Sequence, residues 1–229
     1  MDFDFTGWTL VFDLDGTLVE TAPDLHAALN HTLATKGLAP VSLDSIRMII
    51  GDGAKALIRK GLNHNEHPID EDEIDSDLWP TFIDHYLSNI TRLSEPFEGA
   101  VDCLINLKAS GATLAVCTNK AQNLAEEVLN GLNLAQHFSS IVGGDALPTK
   151  KPAGEHIIET VRRAGGQTDK TIMIGDAQTD EVAAYDAQLP YVFVSFGYGN
   201  YSGESKTPTR SIDHWRELRQ ALVCLAKPD

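Results

Sequence analysis

The stretch Leu10-Val11-Phe12-Asp13-Leu14-Asp15-Gly16 narrows the possible folds of this chain more than any other, because an apolar run ends abruptly at two carboxylates and a glycine. Four residues, Thr9 to Phe12, read as a short strand covered on both faces, and Gly16 permits a tight turn just beyond it. In an extended segment, residues i and i+2 point to the same side, which predicts that Asp13 and Asp15 face one small volume. Two anions there need a cation, since a carboxylate at a buried strand end is costly unless paired. An incidental turn at Asp15-Gly16 leaves that cost unmet. A calcium loop fails on ligand count: with Asp13 and Asp15 at its third and fifth positions, the first and twelfth are Val11 and Ala22, which offer no side-chain oxygen. The remaining reading makes one aspartate a nucleophile and the other an acid/base, with a hard cation clamping the substrate.

Further along, the apolar pattern divides the chain in two. Pro23 to Thr35 predicts a helix stopped by Gly37, and two short helices follow at Leu43 to Ile50 and Ala54 to Lys60, separated by Gly51-Asp52-Gly53. Glu66 to Asp77 holds seven acids in twelve residues and reads as a solvated face. His64 and His67 are a weak zinc signal without a nearby cysteine or further histidine. Helical spacing then runs from Ile74 to Leu93, with Pro80 expected to kink the helix or mark its start. From Pro96 onward, helices alternate with strands at Thr113 to Cys117, Ile141-Val142, Thr171 to Ile174 and, as the last strand, Tyr191 to Val194. Gly197 to Pro208 reads as a loop, after which Asp213 is expected to cap a closing helix. The expected architecture is an α/β fold: a Rossmann-like parallel-sheet core of residues 1–20 and 95–229, with an inserted all-helical cap domain, 21–94. In such open sheets ligands bind beyond the carboxyl ends of the strands, where Asp13, Thr118 and Asp176 fall.

Asp13-Leu14-Asp15-Gly16-Thr17, Thr118-Asn119-Lys120, Lys151-Pro152, and Gly175-Asp176 followed by Asp180 resemble, in order, the four signatures of the haloacid dehalogenase superfamily. The spacing around them is similar to the phosphoglycolate phosphatase branch over nearly the whole chain. The resemblance implies a phosphatase with an aspartyl-phosphate intermediate: Asp13 as nucleophile, Asp15 as acid/base, Thr118 and Asn119 as phosphate-binding residues, and Lys151 neutralising the phosphoryl group and the nucleophile. It also favours Lys151 over its neighbour Lys150, although Gly154 stands where many members have a second proline. Asp13, Asp15 and Asp176 form the implied metal set, with Mg2+ suiting carboxylates, substrate phosphate and water. Thr17, Gly175 and Asp180 would support them, Asp180 by orienting Lys151 or a metal-bound water. Arg47 and the Gly51 to Ala54 turn resemble the family's substrate loop, with Gly51 and Gly53 offering backbone N–H groups at a helix start. Dehalogenases similar to this family lack the second aspartate, which argues against dehalogenation.

The formal charge of −15 argues against nucleic acid and against anionic membrane surfaces. It also requires any phosphate site to be positive locally, through a metal, a lysine and backbone N–H groups. Three widely spaced cysteines in apolar patterns read as buried thiols in a reducing compartment. Met1 to Leu10 lacks lysine, arginine and a long apolar run, so no signal peptide is expected and the cytoplasm is the expected location. The expected activity is Mg2+-dependent hydrolysis of a small phosphate monoester, 2-phosphoglycolate being the best candidate because the cap closes over small molecules and a glycine turn suits a second anionic group. A phosphotransferase such as a sugar-phosphate mutase, another small-molecule phosphatase, or a non-catalytic phosphate-binding regulatory module are the alternatives.

Overall fold

The computed structural model describes residues 3–47, 49–50, 53–199 and 207–227. Its centre is strand β1 (Thr9–Phe12), every residue of which is buried. Around it lies a six-stranded sheet in the order β5-β4-β1-β6-β7-β8, comprising β4 (Thr113–Cys117), β5 (Ser140–Val142), β6 (Thr171–Gly175), β7 (Tyr191–Val194) and β8 (Thr209–Ile212). All the pairings are parallel, with Phe12 beside Val116 on one side and Ile174 on the other.

A buried parallel strand is apolar on both faces, and alternate residues of this sheet feed separate cores. Val11, Ala115, Cys117 and Met173 pack with Ile157 and Val161 of helix α8 (Gly154–Arg163) and with Ala183 and Ala184 of α9 (Gln178–Asp186). Leu10, Phe12, Leu114, Val116, Ile172 and Ile174 face the opposite way, toward α6 (Ala100–Ala109), α7 (Gln122–Gly131) and α10 (Leu218–Ala226). The chain lays β4 and β5 on one side of β1 and then returns to place β6, β7 and β8 on the other. That reversal opens a crevice at the carboxyl ends of β1, β4 and β6.

Two short strands, β2 (Val19–Glu20) and β3 (Glu95–Pro96), pair antiparallel just outside the sheet. Between them in the chain come α1 (Ala22–Thr35), α2 (Leu43–Arg47), α3 (Ala54–His64), a three-residue helical start α4 (Glu71–Glu73) and α5 (Trp79–Ser88). Leu25, Leu29, Leu33, Leu57, Ile58, Leu62, Phe82 and Tyr86 bury the facing sides of these helices. Asp24, buried on the first turn of α1, accepts hydrogen bonds from the Leu93 and Ser94 N–H groups, at 2.8 Å from the latter, and so ties the outgoing chain to the returning one.

The structure departs from the sequence expectations in particular places. Tyr191 to Val194 is not the last strand: β8 follows, its two central residues Arg210 and Ser211 exposed at the sheet edge, so its sequence lacks the apolar run that marks a central strand. His214 rather than Asp213 caps the closing helical segment, its Nδ1 accepting from the Arg216 N–H at 3.1 Å. Pro80 falls in the first turn of α5 and so marks the start of that helix, one of the two outcomes expected of it. A π-helical turn over Ile74–Leu78 joins α4 to α5 and absorbs the proline's missing donor in the first turn of α5. The helix ends at Ser88, short of Leu93, which is exposed. Of the three free thiols only Cys117 is buried; Cys103 is half-buried and Cys224 exposed.

The acidic segment lies on the surface. Glu71 pairs with Arg59, Asp75 with Lys55, and Glu73 and Asp77 with Lys36.

Candidate active site

Asp13 follows β1 directly, and its N–H donates to the Ile174 carbonyl at 2.9 Å, so the sheet ladder itself aims this residue into the crevice. Asp176 follows β6 in the same way. Asp180 projects from the first turn of α9, where its Oδ2 accepts from the Ala177 N–H at 3.1 Å. One oxygen from each of the three buried carboxylates lies within 4.8 Å of the others.

Such a group repels itself. Burial, with the neighbouring Asp180 and Asp176, pushes the Asp13 carboxyl up to about 7 despite the opposing pull of Lys151. Burial and then Asp180 push Asp176 up to about 6, against hydrogen bonds from the Tyr198 N–H, the Thr17 hydroxyl and the Gly199 N–H. Lys151 offsets part of the negative charge. Its ammonium lies 2.7 Å from Asp13 Oδ1 and 2.7 Å from Asp180 Oδ1. Burial opposes the charge on Lys151, but Asp13 and Asp180 outweigh it and hold its ionisation well above the ordinary lysine value. Three carboxylates against one ammonium leave an excess of negative charge in a buried space, which a hard divalent cation fits.

The packing around these acids leaves no room for larger residues. A Cβ on Gly16, where φ is +83°, would stand 2.5 Å from Asp176 Oδ2, and one on Gly197 would stand 2.3 Å from Asp176 Cβ. A Cβ on Gly175 would meet Asp180 Oδ2 at 2.3 Å. Thr17 Oγ1 donates to Asp176 Oδ1 at 2.8 Å. Thr17, Gly175 and Asp180 thus act on the carboxylates they adjoin, each by a different contact.

Asp15 goes elsewhere. Its carboxylate is not one of the three grouped oxygens, which Asp180 completes, although Asp15 lines the same inner cavity as Asp13 and Asp176. The reason is local: Leu18 N–H and Val19 N–H both return to the Leu14 carbonyl, so the chain is already turning and the two-residue alternation of an extended strand no longer holds. Asp15 Oδ1 instead accepts from Thr21 Oγ1 at 2.6 Å and from Lys120 Nζ at 3.0 Å.

The Thr118 hydroxyl is buried and lines the inner crevice with Asp13, on the loop between β4 and the next helix. Helix α7 begins four residues later, its Gln122 N–H capped by Asp145 at 2.7 Å, while Thr118 Oγ1 accepts from the Lys120 N–H at 3.2 Å. Asn119 Nδ2 donates to the Lys151 carbonyl at 2.9 Å and thereby positions the lysine loop.

Two adjoining cavities meet at Asp15. The inner one is lined by Asp13, Thr118, Asn119, Lys151 and Asp176. The outer one, of about 200 Å³, runs under the helices between β2 and β3 and is lined by Leu25, Ile50, Gly53, Leu57, Trp79 and Lys150, among others. Asp15, Asn119, Lys120 and Ile50 line both. Gly53 caps α3 with φ +98° and reaches the outer cavity. Gly51 lies outside the described residues. Arg47 is not among the lining residues of either cavity; its guanidinium is turned to Glu20 Oε2, 3.3 Å away.

Three residues given no role from the sequence take part. Lys120 is buried against Asp15, with its ammonium 5.0 Å above the Tyr86 ring of α5. His156 accepts the Lys151 N–H at its Nδ1, 3.3 Å away, and burial followed by Lys151 lowers its ionisation to about 4, so it stays neutral. The main-chain N–H of Tyr198 donates to Asp176 Oδ2 at 2.8 Å. Lys120 ends the Thr118-Asn119-Lys120 stretch without a periodicity or spacing to mark it, and nothing in a single sequence distinguishes Tyr198 beside Gly197 and Gly199.

A parallel sheet with Asp13, Lys151, Asp176 and Asp180 converging at its carboxyl edge is the arrangement of the haloacid dehalogenase-like hydrolases. The model of that family matches residues 10–194, and the chain belongs to it. Among its relatives, a phosphoglycolate phosphatase of Caulobacter vibrioides is 44% identical over 222 residues, spanning 97% of this chain and 93% of that protein. Another phosphoglycolate phosphatase, from Agrobacterium fabrum, is 41% identical over 93% of this chain and 91% of its own length. The crystal structure of a protein described as a predicted phosphoglycolate phosphatase from Haemophilus somnus superposes with a TM-score of 0.85 at 28% identity, over 94% of this chain and 97% of that one. No helix among the described residues is long and apolar enough to cross a membrane.

Proposed function

We propose that the chain is a Mg2+-dependent phosphatase of small phosphate monoesters, with 2-phosphoglycolate as its preferred substrate. The observation that carries this reading is the placement of a buried carboxylate, Asp13, against Lys151 at the floor of a cavity whose wall holds a second carboxylate, Asp15. Asp13, Asp176 and Asp180 would hold the cation. When bound, that ion supplies positive charge to the transferring phosphoryl group and favours the ionised Asp13 that attack requires.

An Asp13 carboxylate oxygen attacks phosphorus in line, the bond to the leaving oxygen breaks, and protonated Asp15 donates its proton to that oxygen. Water then attacks the aspartyl phosphate, Asp15 takes the water's proton, and inorganic phosphate leaves with Asp13 restored as a carboxylate. Lys151 balances charge on the phosphoryl oxygens throughout, and Thr118 and Asn119 provide donors around them. Asp180 holds Lys151 in place for that task, and the neutral His156 fixes the lysine's main chain.

The segment 21–94 serves as a cap over the core of residues 1–20 and 95–229. Its cavity volume falls below the span typical of drug-sized ligand pockets, which favours a small leaving group. Lys150 reaches that cavity and forms no ion pair among the described residues, so it offers a cation to a second anionic group. The α3 N-terminus at Gly53 offers backbone donors to the same group. The shared name of the relatives points the same way.

Phosphate release measured with and without Mg2+ over 2-phosphoglycolate, hexose phosphates, nucleoside monophosphates and phosphoserine tests this reading. The expected outcome is metal-dependent turnover with the highest kcat/KM for 2-phosphoglycolate. A higher value for a hexose phosphate or nucleotide would reject the substrate and keep the phosphatase, and absence of release from every ester would reject both.

A further inference from the structure

Tyr198 connects two parts of the molecule that no other described side chain joins in this way. Its main-chain N–H and that of Gly199 donate to Asp176 Oδ2, at 2.8 and 3.2 Å. Its phenol reaches in the opposite direction, to the start of α1. The phenolic oxygen accepts from the Thr21 N–H at 2.7 Å and the Ala22 N–H at 3.0 Å, and the O–H donates to Glu20 Oε1 at 2.7 Å.

A helix start has N–H groups with no partner inside the helix, and a side chain at the cap position usually accepts one of them. Thr21 occupies that position in α1 but makes no side-chain cap bond, and its hydroxyl donates instead to Asp15. The following residue but one, Pro23, has no N–H to give. Tyr198 therefore supplies from the sheet side the cap that α1 does not make for itself. The phenol is buried, and burial with the Glu20 carboxylate holds its ionisation far above the ordinary tyrosine value, so the O–H remains a donor. Glu20 continues the chain of contacts through Oε2 to Arg47 of α2.

We propose that Tyr198 is a positioning residue that couples the cation site to the entry of the helical segment, so that occupancy of Asp176 steadies the first turn of α1. The inference rests on the reading of Asp13, Asp176 and Asp180 as a magnesium site. A cation that immobilises Asp176 also immobilises the two N–H groups bonded to it, and the ring attached to one of them carries that restraint to Thr21 and Ala22. By linkage, an ordered α1 start strengthens cation binding to the same extent.

The test is amide hydrogen exchange of the full chain with and without Mg2+, alongside calorimetric titration of Mg2+, for the wild type and Tyr198→Phe. Phenylalanine keeps the ring packing and the main-chain donors and removes only the hydroxyl. In the wild type, Mg2+ slows exchange at Thr21 and Ala22 on the order of tenfold. In Tyr198→Phe, Tyr198's own position and Gly199 still respond to Mg2+, while Thr21 and Ala22 no longer do. Magnesium binding to the wild type without a change at Thr21 and Ala22 overturns the coupling alone, whether or not the variant folds. An unchanged response in Tyr198→Phe also overturns it. No magnesium binding at all overturns the cation site and the coupling with it.

Discussion

Asp13 and Asp15 stand two residues apart in the chain, yet they belong to differently built surroundings. Asp13 lies among groups that the sheet delivers from the ends of β1 and β6 and from the loop after β5: Lys151, Asp176 and Asp180 are all buried, and each touches another of the set. Asp15 lies where the core meets the helices between β2 and β3, held by Thr21 from the entry to α1 and by Lys120 under the Tyr86 ring. Among the described residues, the first environment takes only Ile50 from the helical segment for its lining. In the second, Leu25, Ile50, Gly53, Leu57 and Trp79 from the helical segment complete the walls. The contrast suggests a division of labour, with phosphoryl chemistry on the rigid sheet edge and choice of leaving group on a surface that two parts of the chain share.

Substitution at the sheet edge breaks that comparison most severely. Asp13→Asn removes the proposed nucleophile at almost constant volume, so phosphate release should fall on the order of 10³-fold or more for every substrate alike, with near-UV circular dichroism reporting an intact fold. A loss confined to one substrate would place Asp13 on the specificity side instead.

Metal binding should follow the same buried carboxylates. In metal-free protein, Asp13 at about 7 and Asp176 at about 6 lie above the ordinary aspartate value of 3.8. The folded state therefore binds more protons than the unfolded one between those values, and these two groups withdraw stability as pH rises through 6 to 7. Protons and Mg2+ compete for them. The rise in Tm caused by Mg2+ should be larger at pH 8 than at pH 5.5, and an equal rise at both would show that the cation sits elsewhere.

The leaving-group side should respond more selectively. Lys150→Ala should lower kcat/KM for 2-phosphoglycolate about tenfold, the worth of one charged contact, while leaving ethyl phosphate unchanged. Equal losses on both substrates would move Lys150 to the phosphoryl end. At the smallest end, Lys36 pairs with Glu73 and Asp77 on the outer face of the helical segment, where solvent screens such contacts. Lys36→Ala should leave kinetics on both substrates unaltered, and a change in either would extend the working surface beyond the cavity.

Much of this was readable from residue order. The strands at Thr9, Thr113, Thr171 and Tyr191 announce themselves because a parallel strand covered on both faces must be continuously apolar, and the acids that follow β1 and β6 are conspicuous because such runs rarely end in charge. The helical segment was visible as a change in period from the alternating region. Family resemblance singled out Lys151 and Asp180, and the structure brings both to Asp13. Strand β8 was hidden because its edge position leaves two of its four residues exposed. The direction of Asp15 was hidden because it depends on hydrogen bonds within the Leu14 to Val19 turn, which override the strand alternation.

What the sequence by itself determined is thus the set of apolar periods and the order of the acids along them, since both are properties of neighbours a few residues apart. Which polar groups meet was decided only by tertiary structure. Lys120 reaches Asp15 across 105 positions, Thr17 reaches Asp176 across 159, and the Tyr198 phenol reaches Thr21 across 177. Each of these contacts is specified by donors and acceptors left unpaired when the sheet and helices pack, and a pattern with a period of two or 3.6 residues carries no record of them.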